Sequence, residues 1–578
     1  MAPLFLRLGG RAAALGGAIL FLSMGVGEAY GALHGRVAPQ ERLTEENFAG
    51  DESRTAWHAT AWRNERVHAT FALWGDDCGT LTAGPVMLTG PDGAQLQGKV
   101  RWLREVEASN FFRGAHDTKV YPHFKVGDIL DDAQPFTMNE DGYRGVWVSF
   151  KPPHDAPVGR YRGELKVTSA VGARTFPLEL EVLSAQLLMR KRFFLDIWQT
   201  PWTIARYYGV RPFSKEHYAR LEPIFRELAD AGQNAITTTI TDYPWNVRAN
   251  IDSARSMVRY VKRRDGTYQA DFTVMDEYVA FAEACGLGPQ IHCYALVKFE
   301  RHKDYQYVDE TTGKEVSVDL EHGSPEYEAY WGPLLSQLEA HARAKGWLGR
   351  LYVAMDELTP DEVRSAARIL STHAPSLKFQ MAGNRNPADF QGVKIDNFSQ
   401  ELTRPSFFTR DFLDEVKRRR EAGLLTTIYV CCNPRRPNCL VVSPLVEQRW
   451  LGLFIAQAGF DGFLKSTSHR WMTGTDPLVD SHCLPHFPCG DSFLFYPGPL
   501  FSPRWESLVD GFEDCEKISI LRAVGGLTPA LEAALANIDY ARFQANDTRQ
   551  CRRDVTAVLT ALEEAARKLP ASDGRGAR

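Results

Sequence analysis

Residues 351–371 read LYVAMDELTPDEVRSAARILS, and this stretch decides the fold class. Residues 351–355 form a short uncharged run typical of a buried strand. Thr359 and Pro360 then open a segment whose apolar residues recur at helical spacing. A buried strand followed at once by an amphipathic helix is one β/α unit.

The same unit recurs along the chain. The apolar runs are 193–198, 235–240, 289–295, 351–355, 378–382, 393–398, 426–431 and 462–465. Helical patterns between most of them cover 217–231, 274–285, 327–345, 360–371, 411–422 and 444–458. Eight β/α units over about 290 residues predict a TIM barrel. The alternative is an open doubly wound sheet, which is disfavoured because no Gly-rich nucleotide loop follows the first strand.

The segments that flank the barrel have different patterns. Residues 55–185 alternate as strands, for example VHATFALW at 67–74 and GVWVSF at 145–150, and Pro, Gly and Asp turns separate them. This pattern predicts a β-sandwich, and the chain after residue 500 is helical. We therefore predict a multidomain β and α/β protein with an N-terminal β-sandwich, a (β/α)8 TIM barrel and a helical C-terminal tail. The expected bounds are a signal peptide at 1–31, the sandwich at 50–188, the barrel at 189–500, a helical segment at 501–570 and a disordered tail at 571–578.

The N-terminus has the pattern of a secretory signal. Arg7 and Arg11 precede an apolar run at 12–26, and Ala29-Tyr30-Gly31 offers a small-x-small cleavage site. The run is shorter than the roughly 20 apolar residues that span a bilayer, so we favour cleavage over an uncleaved anchor. We expect a secreted or periplasmic protein with no membrane span after cleavage.

The ten cysteines do not have metal-binding spacing. Cys431 and Cys432 are adjacent, and Cys483 and Cys489 are too far apart for a paired zinc motif. Export permits one or two disulfides, and buried free thiols are the alternative. The sequence therefore predicts no metal.

Composition excludes several classes of protein. The chain has 578 residues, 44% hydrophobic and 24% charged, which rules out a disordered chain. Its 67 basic and 72 acidic residues give a net charge of −5, so no basic field favours nucleic acid or an anionic membrane. The 13 Trp, 20 Tyr and 32 Phe fit either a large core or the handling of carbohydrate, whose apolar faces stack on flat rings. Nothing in the composition sets the oligomeric state.

The pair Asp356-Glu357 is the sharpest candidate site, because a TIM barrel carries its chemistry at the carboxyl ends of its strands. The pairs Asp276-Glu277 and Asp361-Glu362 lie within helical patterns, whereas Asp356-Glu357 ends an uncharged strand. Two adjacent carboxylates there would repel each other and lose solvation unless they had a task.

Adjacency in sequence favours a particular chemistry. The usual glycosidase pair straddles the scissile bond, whereas neighbours divide the work on one side of it. Glu357 would protonate the leaving oxygen, and Asp356 would orient the 2-acetamido oxygen of the substrate as the nucleophile. One alternative is a glycosidase of another specificity, with Asp196 or Asp242 as the second carboxylate. Another is a catalytically silent carbohydrate-binding surface protein.

Several motifs carry a resemblance to a known family. They are MDE at 355–357, GFDGFLK at 459–465 with HRW and DPL beyond it, GDSFLFYPG at 490–498, RWESLVDGFEDCEKISIL at 504–521, WRNERVHATFALW at 62–74 and PPHDAPVGRYRGELKV at 152–167. Together they cover most of residues 55–525, and this stretch resembles glycoside hydrolase family 123.

The resemblance implies an exo-acting β-N-acetylgalactosaminidase that uses substrate-assisted catalysis, with its Asp-Glu pair at Asp356 and Glu357. It also implies a glycan substrate, a sandwich ahead of the barrel, and neither metal nor cofactor. One departure is Ser466-Thr467-Ser468, where relatives tend to carry aromatic residues.

The remaining candidates are polar and aromatic residues expected near the mouth of the barrel. Trp471 is the candidate stacking platform, and Tyr294 or Tyr429 could bind the acetamido oxygen. Other candidate substrate-binding residues are Trp198, His292, Asn384, Asp476 and Asp491. Two have plain alternatives, because Asp476 before a proline could initiate a turn and His292 could be a satisfied barrel histidine.

Overall fold

The structure is a computed structural model that describes residues 32–569, except 40, 45, 113–120, 141, 189–191, 246–253 and 484–486. The expected signal peptide at 1–31 and the tail at 571–578 lie outside the described residues. No helix in the described ranges is long and apolar enough to cross a membrane.

The first part of the chain is a β-sandwich. Its strands are β1 (His34–Val37), β2 (Trp57–Arg63), β3 (Val67–Trp74), β4 (Thr80–Ala83), β5 (Val86–Thr89), β6 (Gln95–Ser109), β7 (His123–Asp131), β8 (Phe136–Thr137), β9 (Tyr143–Phe150), β10 (Gly159–Ser169) and β11 (Gly172–Gln186). They pair in the order β1-β3-β9-β6-β5-β10-β11-β2, with β4, β7 and β8 as branches. Alternation selects the buried face: Phe176, Leu178 and Leu180 of β11 are in the sandwich core, and Glu179 between them forms surface ion pairs.

A parallel barrel with intervening helices follows the sandwich. The elements are β12 (Phe194–Ile197), α1 (Pro201–Tyr208), α2 (Lys215–Ala231), β13 (Ala235–Thr239), β14 (Arg259–Lys262), β15 (Tyr268–Asp271), α3 (Thr273–Ala284), β16 (Gln290–Tyr294), β17 (Asp304–Asp309), β18 (Glu315–Asp319), α4 (Pro325–Ala344), β19 (Leu351–Asp356), α5 (Pro360–His373), β20 (Lys378–Gly383), β21 (Asn397–Glu401), α6 (Arg410–Glu421), β22 (Leu425–Tyr429), α7 (Leu445–Ala458) and β23 (Gly462–Lys465). The parallel order is β12-β23-β22-β21-β20-β19-β16-β13, and a bridge between Leu195 of β12 and Gln233, two residues before β13, closes the ring. Strands β14, β15, β17 and β18 form a separate small sheet.

The predicted fold class is confirmed, with one error in the bounds of a strand. Seven barrel strands lie on the predicted runs, whereas β21 runs from Asn397 to Glu401 rather than over 393–398. The inward face of β21 is polar, because the Asn397 amide reaches across the barrel to Gln290 Oε1 at 3.2 Å. An apolar run is therefore a poor guide to this strand.

The helices after the barrel are α8 (Pro503–Ala523), α9 (Pro529–Leu535), α10 (Tyr540–Ala545) and α11 (Thr548–Arg567). Helix α8 contains the motif of 504–521 and joins the two domains. Glu513 Oε2 accepts from the Arg66 backbone N–H of the sandwich at 2.9 Å, and Glu516 Oε2 accepts from the Phe193 N–H of the barrel at 3.0 Å. The acidic residues of the motif thus hold the sandwich to the barrel.

Two glycines let α7 and α8 touch. A Cβ atom at Gly452 would lie 2.0 Å from the carbonyl oxygen of Gly511. No side chain fits at that distance, so the glycine of the motif is a packing residue.

All ten cysteines are free thiols, and eight of them are buried. The buried-thiol alternative therefore describes most of them, and Cys431 and Cys432 are the two that are partly exposed.

Candidate active site

The carboxylate pair stands at the carboxyl end of the fourth barrel strand. Asp356 is the last residue of β19 and shares a face with Ala354, which is part of the apolar cluster at the barrel mouth. Glu357 follows with φ of 48°, in the left-handed region that a side chain rarely adopts. Such backbone strain, of order 1 kcal/mol, concentrates at functional sites. Both carboxyl groups therefore lie at this strand end, in the mouth region of the barrel.

Hydrogen bonds from the ends of β20 and β22 hold Glu357 in place. The Tyr429 hydroxyl at the end of β22 donates to Glu357 Oε1 at 2.7 Å. The Asn384 amide, just after β20, donates to Glu357 Oε2 at 3.3 Å. The backbone N–H of Glu357 donates to the Ala382 carbonyl at 2.8 Å. The sequence predictions for Tyr429 and Asn384 place both residues near the acid pair, and the structure brings them into direct contact with it.

Burial and like charge make both carboxyl groups poor acids. Burial, and then the charge of Glu357, raise the pKa of Asp356 well above its usual range, while the Arg470 guanidinium lowers it. Burial also raises the pKa of Glu357, and the hydrogen bond from Tyr429 opposes that shift. Two adjacent buried carboxyls do not both ionise readily, so the pair retains a proton at a pH where an ordinary carboxyl has lost it. A retained proton is what a general acid requires.

Removing the Tyr429 hydroxyl is expected to shift the pH profile. Tyr429→Phe deletes a hydrogen bond that stabilises the Glu357 anion, so the pKa of Glu357 rises further. A general acid works below its pKa, so the alkaline limb of kcat/KM should move to higher pH. The measurement is kcat/KM against pH for both proteins, and an alkaline limb that stays in place or moves down would contradict the assignment.

Aromatic rings line one side of the mouth. The Trp198 ring centroid lies 5.1 Å from that of Trp245 and 4.8 Å from that of Tyr294, and the Trp245 and Tyr294 centroids are 5.0 Å apart. The Tyr294 hydroxyl donates to Gln380 Oε1 at 3.1 Å. Trp198, Trp245, Tyr294 and Tyr429 belong to one apolar cluster with Ala354 and Ala382. The rings therefore surround the strand ends that carry the acid pair.

A third carboxylate was missed from the sequence. Glu401 ends β21 and is the register partner of Tyr429 on β22. It is buried, and burial together with the charge of Glu357 raises its pKa to about 7. The error in the sixth strand hid it, because the run at 393–398 stopped three residues short of Glu401. Alternation along NFSQE would have placed Asn397, Ser399 and Glu401 on one face.

Two candidates lie away from the mouth cluster. Trp471 packs in the main apolar core, with its indole N–H donating to the Phe495 carbonyl at 2.8 Å. Asp491 Oδ1 pairs with Lys465 Nζ at 2.6 Å. Lys465 shares the face of Phe463, which packs on α8, whereas Leu464 faces the mouth. Their substrate-binding roles stay predictions.

The contacts of Asp476 and His292 agree with their structural alternatives, a turn and a satisfied barrel histidine. Asp476 is exposed, and its Oδ1 accepts from the Leu478 N–H at 3.0 Å, which is the geometry of a turn. His292 is fully buried inside the barrel, with Nε2 2.8 Å from Gln290 Oε1 and Nδ1 3.1 Å from Asp196 Oδ2. Both side chains have structural partners of their own.

Residues Ser466-Thr467-Ser468, which stand where relatives tend to carry aromatic residues, make structural hydrogen bonds. The Thr467 hydroxyl donates to the Ser492 carbonyl at 3.2 Å, and the Ser468 hydroxyl donates to the Trp198 carbonyl at 3.1 Å. The second bond holds the backbone just after β12, where Trp198 packs against Trp245 and Tyr294.

Metal-ligating side chains do not cluster within the described ranges, where no group of three or more His, Cys, Asp or Glu could hold an ion.

A barrel mouth that combines carboxylic acids of raised pKa with strand-end hydrogen-bond donors and aromatic rings is the site of a glycoside hydrolase. The sequence places the chain within that class: it belongs to glycoside hydrolase family 123. The family's catalytic-domain model matches residues 198–521, and its N-terminal-domain model matches residues 42–169. The resemblance stated from the motifs is confirmed.

One solved structure shares the fold over nearly its whole length. A family 123 glycoside hydrolase from Clostridium perfringens, studied for glycolipid glycan hydrolysis, superposes with a TM-score of 0.82 at 22% identity, covering 93% of this chain and 98% of that chain. A GH39 β-xylosidase from Caulobacter crescentus gives a TM-score of 0.33 at 15% identity, over 55% of this chain and 71% of that chain. No curated protein sequence matched this chain significantly.

Proposed function

We propose that this glycoside hydrolase is a retaining exo-enzyme that removes a terminal β-linked N-acetylhexosamine, with N-acetylgalactosamine as the favoured sugar. The observation that supports it is the adjacency of Asp356 and Glu357 at one strand end, with Glu357 held by Tyr429 and Asn384. Adjacent carboxyls act from one side of the sugar, and this arrangement favours a nucleophile that belongs to the substrate.

The reaction has two steps. In the first, Glu357 gives its proton to the glycosidic oxygen while the acetamido oxygen attacks C1, so the C1–O bond to the leaving group breaks and an oxazolinium forms. Asp356 accepts the acetamido N–H, and this donor favours the Asp356 anion over the Glu357 anion. In the second, the Glu357 carboxylate takes a proton from water, which attacks C1 and restores the acetamide with net retention.

The two carboxylates considered as ordinary alternative partners have basic neighbours. Asp196 lies beside His292 inside the barrel. Asp242 Oδ2 is 3.1 Å from Arg255 Nε, and its Oδ1 accepts from the Ser256 N–H at 2.6 Å. Neither is offered to a sugar in the way that Asp356 and Glu357 are.

A panel of substrates tests the proposal. We expect hydrolysis of p-nitrophenyl β-N-acetylgalactosaminide, loss of most activity when the 2-acetamido group is replaced by hydroxyl, and inhibition by a thiazoline mimic of the oxazoline. Glycolipid glycans are the first natural class to assay, given the similar C. perfringens enzyme. Activity confined to sugars that lack the acetamido group would refute substrate assistance.

We also propose that the chain is exported to the periplasm or the medium, on the strength of its apolar segment at 12–26. Mass spectrometry of the protein from the periplasmic fraction and from the medium tests this, and we expect the mature N-terminus to follow the small-x-small site at 29–31.

A further inference from the structure

Glu401 faces the interior of the barrel mouth. Asn397, Ser399 and Glu401 alternate on one face of β21, and two contacts identify that face. Asn397 reaches Gln290 on a strand that is not its neighbour, and Ser399 accepts a hydrogen bond from the Thr427 hydroxyl at 2.8 Å. The last residue of this row is Glu401, at the height of Tyr429, so its carboxylate lies beside the acid pair.

The Glu401 carboxylate is poorly satisfied. Its one hydrogen-bond donor in the described part of the chain is the Cys431 thiol, whose Sγ is 3.5 Å from Glu401 Oε1. In the same ranges no Lys, Arg or His nitrogen lies within 4.0 Å of its oxygens, although the side chain is only 7% exposed. A thiol is a weak donor, and a buried carboxylate normally has charged or multiple partners.

Two other buried acids, Asp128 and Glu516, show the contrast. Asp128 is contacted by Arg42, Tyr496 and Arg504, and Glu516 accepts from two backbone N–H groups. Glu401 instead has like-charged neighbours, because its charge raises the pKa of Asp356 and the charge of Glu357 raises its own. A buried carboxyl with a weak donor and two acidic neighbours destabilises the fold unless a ligand supplies its hydrogen bonds.

We propose that Glu401 is a substrate-binding carboxylate, which accepts hydrogen bonds from one or two ring hydroxyls of the sugar whose glycosidic bond the acid pair cleaves. This rests on the proposed function and names a further residue of its site. Ring hydroxyls are the strong neutral donors of a sugar, and Glu401 has free acceptor capacity at the mouth where the aromatic rings and the acid pair meet. Each hydroxyl that binds replaces the missing protein donor.

The charge of Glu401 also affects the pKa of the Asp356-Glu357 pair. The titratable groups around Glu401 come from four elements: Asp356 and Glu357 at the end of β19, Tyr429 at the end of β22, Cys431 after it, and Tyr540 on α10. The Glu401 charge helps the Asp356-Glu357 pair to keep its proton. Removing that charge lowers the pKa of the pair, so the alkaline limb of kcat/KM moves to lower pH, opposite in sign to Tyr429→Phe.

A cycle of enzyme and substrate changes tests the contact. Wild type and Glu401→Gln are assayed on the preferred sugar and on its 3-, 4- and 6-deoxy analogues. We expect Glu401→Gln to lower kcat/KM on the full sugar by about 10- to 150-fold, the value of a hydrogen bond to a charged group. With wild type, kcat/KM on one or two of the deoxy analogues should be lower than on the full sugar by a similar factor. With Glu401→Gln, the same analogues should lower kcat/KM by less than about threefold.

Stability separates this role from a structural one. Glu401→Gln should unfold at the same temperature as wild type or higher, because it removes like-charge repulsion. The control is Glu421→Gln on the exposed face of α6, which loses the same charge and should keep full activity. A lower unfolding temperature that accompanies the activity loss would overturn the proposal.

Two further results would overturn it. One is an equal deoxy penalty in wild type and Glu401→Gln. The other is rescue of Glu401→Ala by azide with formation of a glycosyl azide, which would make Glu401 a nucleophile. If wild type hydrolyses no 2-acetamido glycoside, the proposed function fails, and the same cycle is run on the sugar it does hydrolyse, or by calorimetry on free sugars.

Discussion

Glu357→Gln is expected to lower kcat on substrates with poor leaving groups by about 10²–10⁴-fold, the usual contribution of a positioned general acid. The carboxamide keeps the shape and can still accept from Tyr429, but it has no proton to give. Activated aryl glycosides need less protonation, so their kcat should fall less. Dependence on leaving-group pKa should therefore steepen in the variant, and steady-state kinetics over a series of aryl glycosides measures it.

The control for Glu357→Gln is Asp361→Asn. Asp361 lies four residues away in the first turn of α5, and its side chain is 93% exposed. It loses the same charge without touching the mouth, so kcat should not change. Unaltered kcat of Glu357→Gln on a poor leaving group would refute the acid assignment.

Asp128→Ala is expected to destabilise the protein by about 3–5 kcal/mol, the cost of breaking a buried ion pair from one side. Asp128 on β7 accepts from Arg504 Nε of α8 at 2.9 Å and from Arg42 Nη1 at 2.5 Å. Arg504 is fully buried and also donates to the carbonyls of Cys439, Gly490 and Phe493 at 2.9–3.0 Å. Without Asp128, two guanidinium groups keep their charge with no carboxylate between them.

The matched comparison is Arg567→Ala, which breaks the ion pair between α11 and Glu181 of the sandwich. Arg567 is 43% exposed, and such pairs contribute about 0–1 kcal/mol. Thermal unfolding of the two variants should show a large drop in midpoint for Asp128→Ala and a small one for Arg567→Ala. Equal shifts would mean that the buried cluster does not hold the sandwich to the barrel.

Much of the fold was predictable because β/α alternation is a local property. Apolar runs of four to seven residues mark seven barrel strands, and the apolar periodicity of segments such as 360–371 marks the helices. Prediction failed where the interior is polar. The inward row Asn397, Ser399 and Glu401 has no apolar period, so the sixth strand was placed too early and Glu401 was missed.

The burial of helix α8 was not predictable from the sequence, for a related reason. The acidic residues of its motif interrupt the apolar pattern along the helix. Those residues are buried, and their partners come from the sandwich and the barrel, up to about 450 positions away in sequence. A sequence window does not contain such partners.

The sequence by itself determined the fold class and the adjacency of two carboxylates at one strand end, because Asp356 and Glu357 are neighbours in the chain. Only the tertiary structure decided what surrounds them. Tyr429, Asn384, Glu401, Trp198 and Tyr294 are contributed by five other strands or the loops that follow them, and they meet because closing the barrel brings the carboxyl ends of all its strands to one rim. The same closure left Trp471 in the core, since burial depends on which surfaces pack together and not on the residue type.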